Sequence, residues 1–265
     1  MDSSQSSGVS YEEFTEAKAA SDTTSLTIST PAGTAEGDLL IAAVATDGDN
    51  VDSLAAPAGE GWTQIGLADR GGIVTLGVWS KLADASESPS HQFIWDNAAQ
   101  AYGWMMRFTG HDQSGPIGQR AVLTGKSGTP DCPSVDTVAA NSMVLRIGSF
   151  NKDKINLDDP GLSGHTPITM DESSSVSDTC SGGAGYVLQA SGGASGTSEF
   201  MLTAEEEYVC FTVAIEAAPS GGGGSVSGGA GYVTQSSSGP SGWSNFSLTA
   251  SQEARTVTIA IAPVP

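Results

Sequence analysis

Apolar and polar residues alternate with a period of two along most of this chain, and that constrains its fold more than any other feature. SLTIST (Ser25–Thr30), GDLLIAAVA (Gly37–Ala45), GIVTLGVWSK (Gly72–Lys81), HQFIWD (His91–Asp96) and AYGWMMRFTG (Ala101–Gly110) each place side chains on two opposite faces, as strands do. NSMVLRIGSF (Asn141–Phe150), AGYVLQ (Ala184–Gln189), SEFMLTA (Ser198–Ala204) and YVCFTVAIE (Tyr208–Glu216) continue the pattern. Gly, Pro, Asn and Asp separate these runs and supply the turns. Helix formers gather only in YEEFTEAKAA (Tyr11–Ala20), which has no apolar stripe and suits an edge strand. The expected fold class is all-β and antiparallel.

Two internal repeats divide the chain. PAGTAEGDLLIAAVATDGDN resembles VDTVAANSMVLRIGSFNKDK at an offset of about 104, and the segments that follow each correspond in order. Ser181–Pro219 aligns without a gap with Ser227–Pro265 at an offset of 46, beginning with SGGAGYV in both. The expected organisation is a flexible terminus at 1–7 and tandem β-sandwich units of jelly-roll or immunoglobulin-like type at 8–117 and 118–219. A Gly-rich linker at 220–226 and a C-terminal partial repeat at 227–265 complete it. The equivalent central strands are Ala35–Ala45 and Ala139–Ser149. Leu40, Ile41, Val78, Phe108, Leu145, Val213 and Ile215 are the expected core.

Thirty acidic residues against ten basic give a net charge of −20. Such a surface repels nucleic acid and acidic lipid, which removes both from the expected partners. No apolar run reaches the ~20 residues that a membrane-spanning helix needs. The opening MDSSQSSGVS has neither the basic nor the apolar region of a secretory signal. The three cysteines, Cys132, Cys180 and Cys210, lack metal-type spacing. Cys210 falls on an alternating run and reads as a buried thiol, and a Cys132–Cys180 disulfide stays open.

TSLTISTPAGTAEGDLLIAAVA (Thr24–Ala45), PAGEGWTQIG (Pro57–Gly66) and the Trp-containing pair ending in FTGHDQSGPI (Phe108–Ile117) together resemble a β-sandwich module of tailed-virus virion surface proteins. That module also occurs in large secreted bacterial proteins. The resemblance covers the first half well and the second weakly, and it brings no catalytic signature. It implies a non-enzymatic structural protein: capsid decoration, head fibre or tail accessory. The expected place is the virion surface, after synthesis in the host cytoplasm without a signal peptide. The expected partners are the major capsid or another virion protein.

Asp47, Asp49 and Asp52 share one loop, TDGDNVDS, and are calcium candidates because clustered oxygens bind that ion. The loop has no closing Glu, and the bland alternative is a solvated acidic turn; no other cofactor is expected. His111, Asp112 and Ser114 lie consecutively in one loop, whereas a catalytic triad converges from separate elements. Glu205–Glu207 read as a charged turn guarding a sheet edge. Trp62 and Trp243, each beside Gly, are candidates for an exposed platform that stacks on a host glycan or fills an interface. This keeps a carbohydrate-binding or adhesive module as the alternative function. Phe246, Leu248, Val257, Ile259 and Ile261 give the partial repeat an apolar face that needs a cover. Its counterparts Phe200, Leu202, Phe211, Val213 and Ile215 already fill the second unit, so a homo-oligomer, a trimer by preference, is expected to bury it.

Overall fold

The computed structural model describes residues 8–173 and 179–218, with Thr234, Ser237, Gly239, Pro240, Ile259 and Ile261 as isolated positions beyond them. Every regular element among these residues is a strand. The first half contributes β1 (Ser10–Lys18), β2 (Thr23–Ser29), β3 (Leu39–Asp47), β4 (Thr63–Arg70), β5 (Val74–Leu82), β6 (Ser90–Ala99) and β7 (Ala101–Thr109). The second contributes β8 (Ile117–Ser127), β9 (Asp131–Cys132), β10 (Asp136–Thr137), β11 (Ser142–Asn151) and β12 (Thr166–Glu172). After these come β13 (Cys180–Gln189), β14 (Gly193–Ala194), β15 (Ser198–Glu199) and β16 (Glu206–Ile215).

Each half builds a five-stranded antiparallel sheet, and the two sheets have corresponding strand orders. The first is β1-β7-β3-β5-β4; the second, read from the matching edge, is β8-β16-β11-β13-β12. Leu39 of β3 lies opposite Leu82 and Phe108, and Met143 of β11 lies opposite Leu188 and Ile215. The offset between β3 and β11 is therefore 104, the value at which the two sequences align. Irregularities recur as well. The register slips by one residue where β4 passes Trp79 and Val78, and where β12 passes their counterparts Gly185 and Ala184. It slips again where β1 passes Phe108, and where β8 passes Ile215. One extra residue in one strand of a pair is a β-bulge, and all four bulges lie in the edge strands of the two sheets.

Period-two alternation explains the layers. In β3, Leu39, Ile41, Ala43 and Ala45 point to one face and Leu40, Ala42 and Val44 to the other, and all are fully buried. The first set meets Met143, Leu145 and Ile147 of β11, so the two sheets pack face to face over a shared core. The outer face of the first sheet is covered by the antiparallel β2–β6 ribbon, through Leu26, Ile28, Phe93 and Trp95. The outer face of the second is covered by two short ribbons, β9–β15 and β10–β14. Sheet-plus-ribbon units thus stand back to back, and the largest core lies between them rather than inside each. All seven expected core residues are fully buried.

The chain divides at Gly224–Ser225 into two units, and the sixteen strands of the described residues belong to the first. Trp243, Phe246, Leu248 and Val257 lie outside the described residues. Ile259 and Ile261 are 77 % and 91 % exposed, whereas their counterparts Val213 and Ile215 are fully buried.

Candidate functional site

Arg146 is the charged group that the fold treats most unusually. It stands in the middle of β11, fully buried on the outer face of the second sheet, where the alternation of its strand calls for an apolar residue. Desolvation pushes the guanidinium pKa down, although arginine is basic enough to stay protonated. Among the described residues no carboxylate pairs with it. Its Nη1 and Nη2 donors go to uncharged oxygens on three segments: Pro133 O between β9 and β10, Gly196 O (2.7 Å) and Ser195 Oγ (3.3 Å) between β14 and β15, and Thr212 Oγ1 (2.6 Å) on β16. A planar fork of donors suits this use, because one side chain can tie several backbone segments at once. Around it Cys132, Phe150, Phe200 and Cys210 form an apolar layer in which the Cys210 thiol contacts the Cys132 thiol. Glu216 makes a second latch at the end of β16. Its carboxylate accepts from Val138 N (3.0 Å), Ala139 N (3.1 Å) and Ser142 Oγ (2.9 Å). Both groups hold the later part of the second unit onto its earlier part.

Sequence alone did not single out Arg146. The available signal was one Arg inside the apolar stretch Met143–Ile147 of a strand-like run, a position where a charge must be provided for.

The second concentration of charge surrounds Trp62. The ring is half-buried, edge-on to His91 and Phe93 at 5.1 and 5.8 Å, so it is part of the packing and not an open platform as expected from its Gly neighbour. Its Nε1 points at His91 Nδ1 (3.3 Å), which Glu60 also contacts. Glu87 lies 3.1 Å from His91 Nε2, out of line for a hydrogen bond, and pairs with Lys81 at 2.8 Å. Lys81 also reaches Asp84 at 3.3 Å and lies 5.9 Å above the Trp62 ring. Apart from His91 Nε2, the polar groups of this network pair with one another, which gives it a structural role at the end of the β2–β6 ribbon.

The calcium candidates are not assembled into a site. No group of three or more His, Cys, Asp or Glu side chains that could hold a metal occurs among the described residues. Asp49 and Asp52 are exposed, and Asp47 ends β3. The loop is organised by Asn50, which is 1 % exposed; its Nδ2 donates to Thr46 Oγ1 and its Oδ1 accepts from Asn97 N. The uncharged amide is what turns inward, and the Asp49 and Asp52 carboxylates stay in solvent, as an acidic turn requires.

In the GHDQSG loop, Ser114 donates from both N and Oγ to Asp112 Oδ1 (2.8 Å each) while His111 faces Gln113 at 3.1 Å. This is a turn built by Asp112, with no hydroxyl presented to the imidazole. Burial lowers the His111 pKa. Glu207 lies opposite Lys126 across β16 and β8 and pairs with it at 3.0 Å, so it guards an edge from within a strand and not from a turn. A Cys132–Cys180 bond is excluded by layering. Cys180 sits in the core between the sheets, with Ala45 O and Gln100 O each 3.5 Å from Sγ, while Cys132 lies under the outer ribbon.

No family model, curated protein or solved structure matches this chain.

Proposed function

We propose that the protein is a non-enzymatic structural component of a virus particle surface that assembles through residues 227–265. One observation carries the assembly reading. In the described unit, residues 181–218 supply the strands on both sides of β11, so that position is full. The chain then repeats the same stretch, and two of its apolar positions, Ile259 and Ile261, are exposed. Apolar strands without a covering sheet are marginal in water, which makes an external partner the natural cover. The virion setting rests on the sequence resemblance and on the strongly acidic surface, which favours dispersal and disfavours nucleic-acid binding. The symmetric trimer expected from the sequence is one way to provide the cover.

The test is deletion of residues 219–265. The shortened chain, which keeps the sixteen strands of the described residues, is expected to stay folded, to lose its native oligomer mass by light scattering, and to stop co-purifying with particles. Retention of both properties would remove residues 227–265 from assembly.

A further inference from the structure

Two thiols far apart in sequence are brought together under the outer ribbon of the second sheet. Cys132 is one of the two residues of β9, and Cys210 stands near the middle of β16. β9 runs over the outer face of that sheet, with Cα positions within 8 Å of β16. Tyr208 and Cys210, two residues apart, share this face. The Tyr208 hydroxyl lies against the main chain of Asp131, and the Cys210 thiol contacts the Cys132 thiol. Both cysteines are fully buried, in one apolar layer with Phe150 and Phe200. The backbone around Cys132 is held on both sides: Asp131 by Tyr208, and Pro133 through its carbonyl by Arg146. Cys132 itself pairs with Ser198 of β15. A disulfide spans Cα atoms roughly 4.4–6.8 Å apart, so two touching sulfurs on anchored segments need only a small approach to bond.

We propose that Cys132 and Cys210 are a cross-linking site: as the outer ribbon docks on the second sheet, a small disulfide of the glutathione class oxidises the pair to an intrachain disulfide that staples β9 to β16. The proposal does not depend on the assembly reading. One cysteine thiol loses its proton, and its sulfur attacks the small disulfide, which forms a mixed disulfide and expels one small thiolate. The second cysteine thiolate attacks the protein sulfur of that mixed disulfide, forms the Cys132–Cys210 bond and expels the other small thiolate. Two protein thiols are oxidised, one small disulfide is reduced to two small thiols, and the two protons end on those thiols. Arg146 lies near both sulfurs, and a cation there favours the thiolate that attacks. The exchange belongs to folding, because in the docked layer neither sulfur reaches solvent. The same burial then shields the finished bond from external thiols. Cys180 takes no part, since it lies on the opposite face of the sheet, in the core between the two sheets.

The test uses the full chain, denatured and reduced, then refolded either with reductant or in a mixture of reduced and oxidised glutathione. After small thiols are removed, thiols are counted in denaturant. The chain refolded with reductant is expected to show three and the chain refolded in the glutathione mixture one, with its mass lower by two hydrogens and its Cys132 and Cys210 peptides joined. Oxidised Cys180→Ser should show none, and Cys210→Ser should show two under either condition. The oxidised parent is expected to melt about 5–15 °C higher than the reduced one, because the bond closes a loop of about 80 residues. It should also keep its bond in reduced glutathione until it is unfolded. If refolding fails, the chain produced in an oxidising cellular compartment is mapped in the same way. Three thiols in the oxidised sample, a bond that includes Cys180, glutathione left attached in place of the intrachain bond, or an unchanged melting temperature each overturns the proposal.

Discussion

Arg146 shows how one side chain can fix the relation between segments far apart in sequence. Truncation to Ala would leave Pro133 O, Gly196 O and Thr212 Oγ1 without their donor inside an apolar layer. Arg146→Ala is expected to lower the unfolding free energy by about 2–4 kcal/mol in urea titration, and Arg146→Met by less because it refills the volume. A second expectation concerns pH. Burial holds the His111 pKa below its ordinary value, so the unfolded chain binds the proton first as pH falls. Stability from this group is full above about pH 6.5 and declines as pH drops from there toward the folded-state value. His165 is shifted in the same direction. Glu172 and Glu206, raised by burial, contribute with the opposite sign, which is why the comparison must be made between chains. The difference in melting temperature between His111→Gln and the parent should change between pH 7 and pH 5; a constant difference would contradict the assignment. The thiols give a third check. Burial pushes Cys180 up to about 12 and Cys210 upward, and all three cysteines are fully buried. An aromatic disulfide reagent should find no thiol in the native chain and three after denaturation.

Among the elements, the interior strands were legible from the sequence, and three of the four edges were not. β3, β5, β7, β11 and β16 have neighbours on both sides, and the sequence shows them as long apolar runs. β4, β8 and β12 escaped notice because each is an edge with a bulge: one extra residue reverses the alternation partway along and blurs the period of two. Tyr11–Ala20, read correctly as an edge strand, was betrayed by Tyr11 and Phe14, which pack against the shared core. The site was less legible still. What surrounds Arg146 is set by ribbons of two residues, and no periodicity marks pieces that short. Trp62 was read from its Gly neighbour, whereas its burial is decided by His91 and Phe93 on another strand. Glycine in a strand is informative once its neighbour is known. Gly182→Ala would bring a methyl to 2.6 Å from the Trp104 ring in the core between the sheets, and is expected to cost about 1–3 kcal/mol by thermal or urea unfolding.

For the whole molecule, the shared core makes the halves depend on each other. Residues 8–117 alone would expose Leu39, Ile41, Trp104 and Met106 to water, so that fragment is expected to aggregate, while residues 8–218 should unfold in one calorimetric transition. Two separate transitions would show that the halves fold independently. The four bulged edges carry a different consequence. A flat, regular edge is a template on which further copies can add strand by strand without limit, and the bulges deny it to β1, β4, β8 and β12 alike. Removing the unpaired residue Glu12 or Ile168 would straighten one edge each. The expected result is a protein that binds amyloid dyes and forms fibrils at concentrations where the parent stays clear: a molecule of defined size would become a seed for open-ended growth.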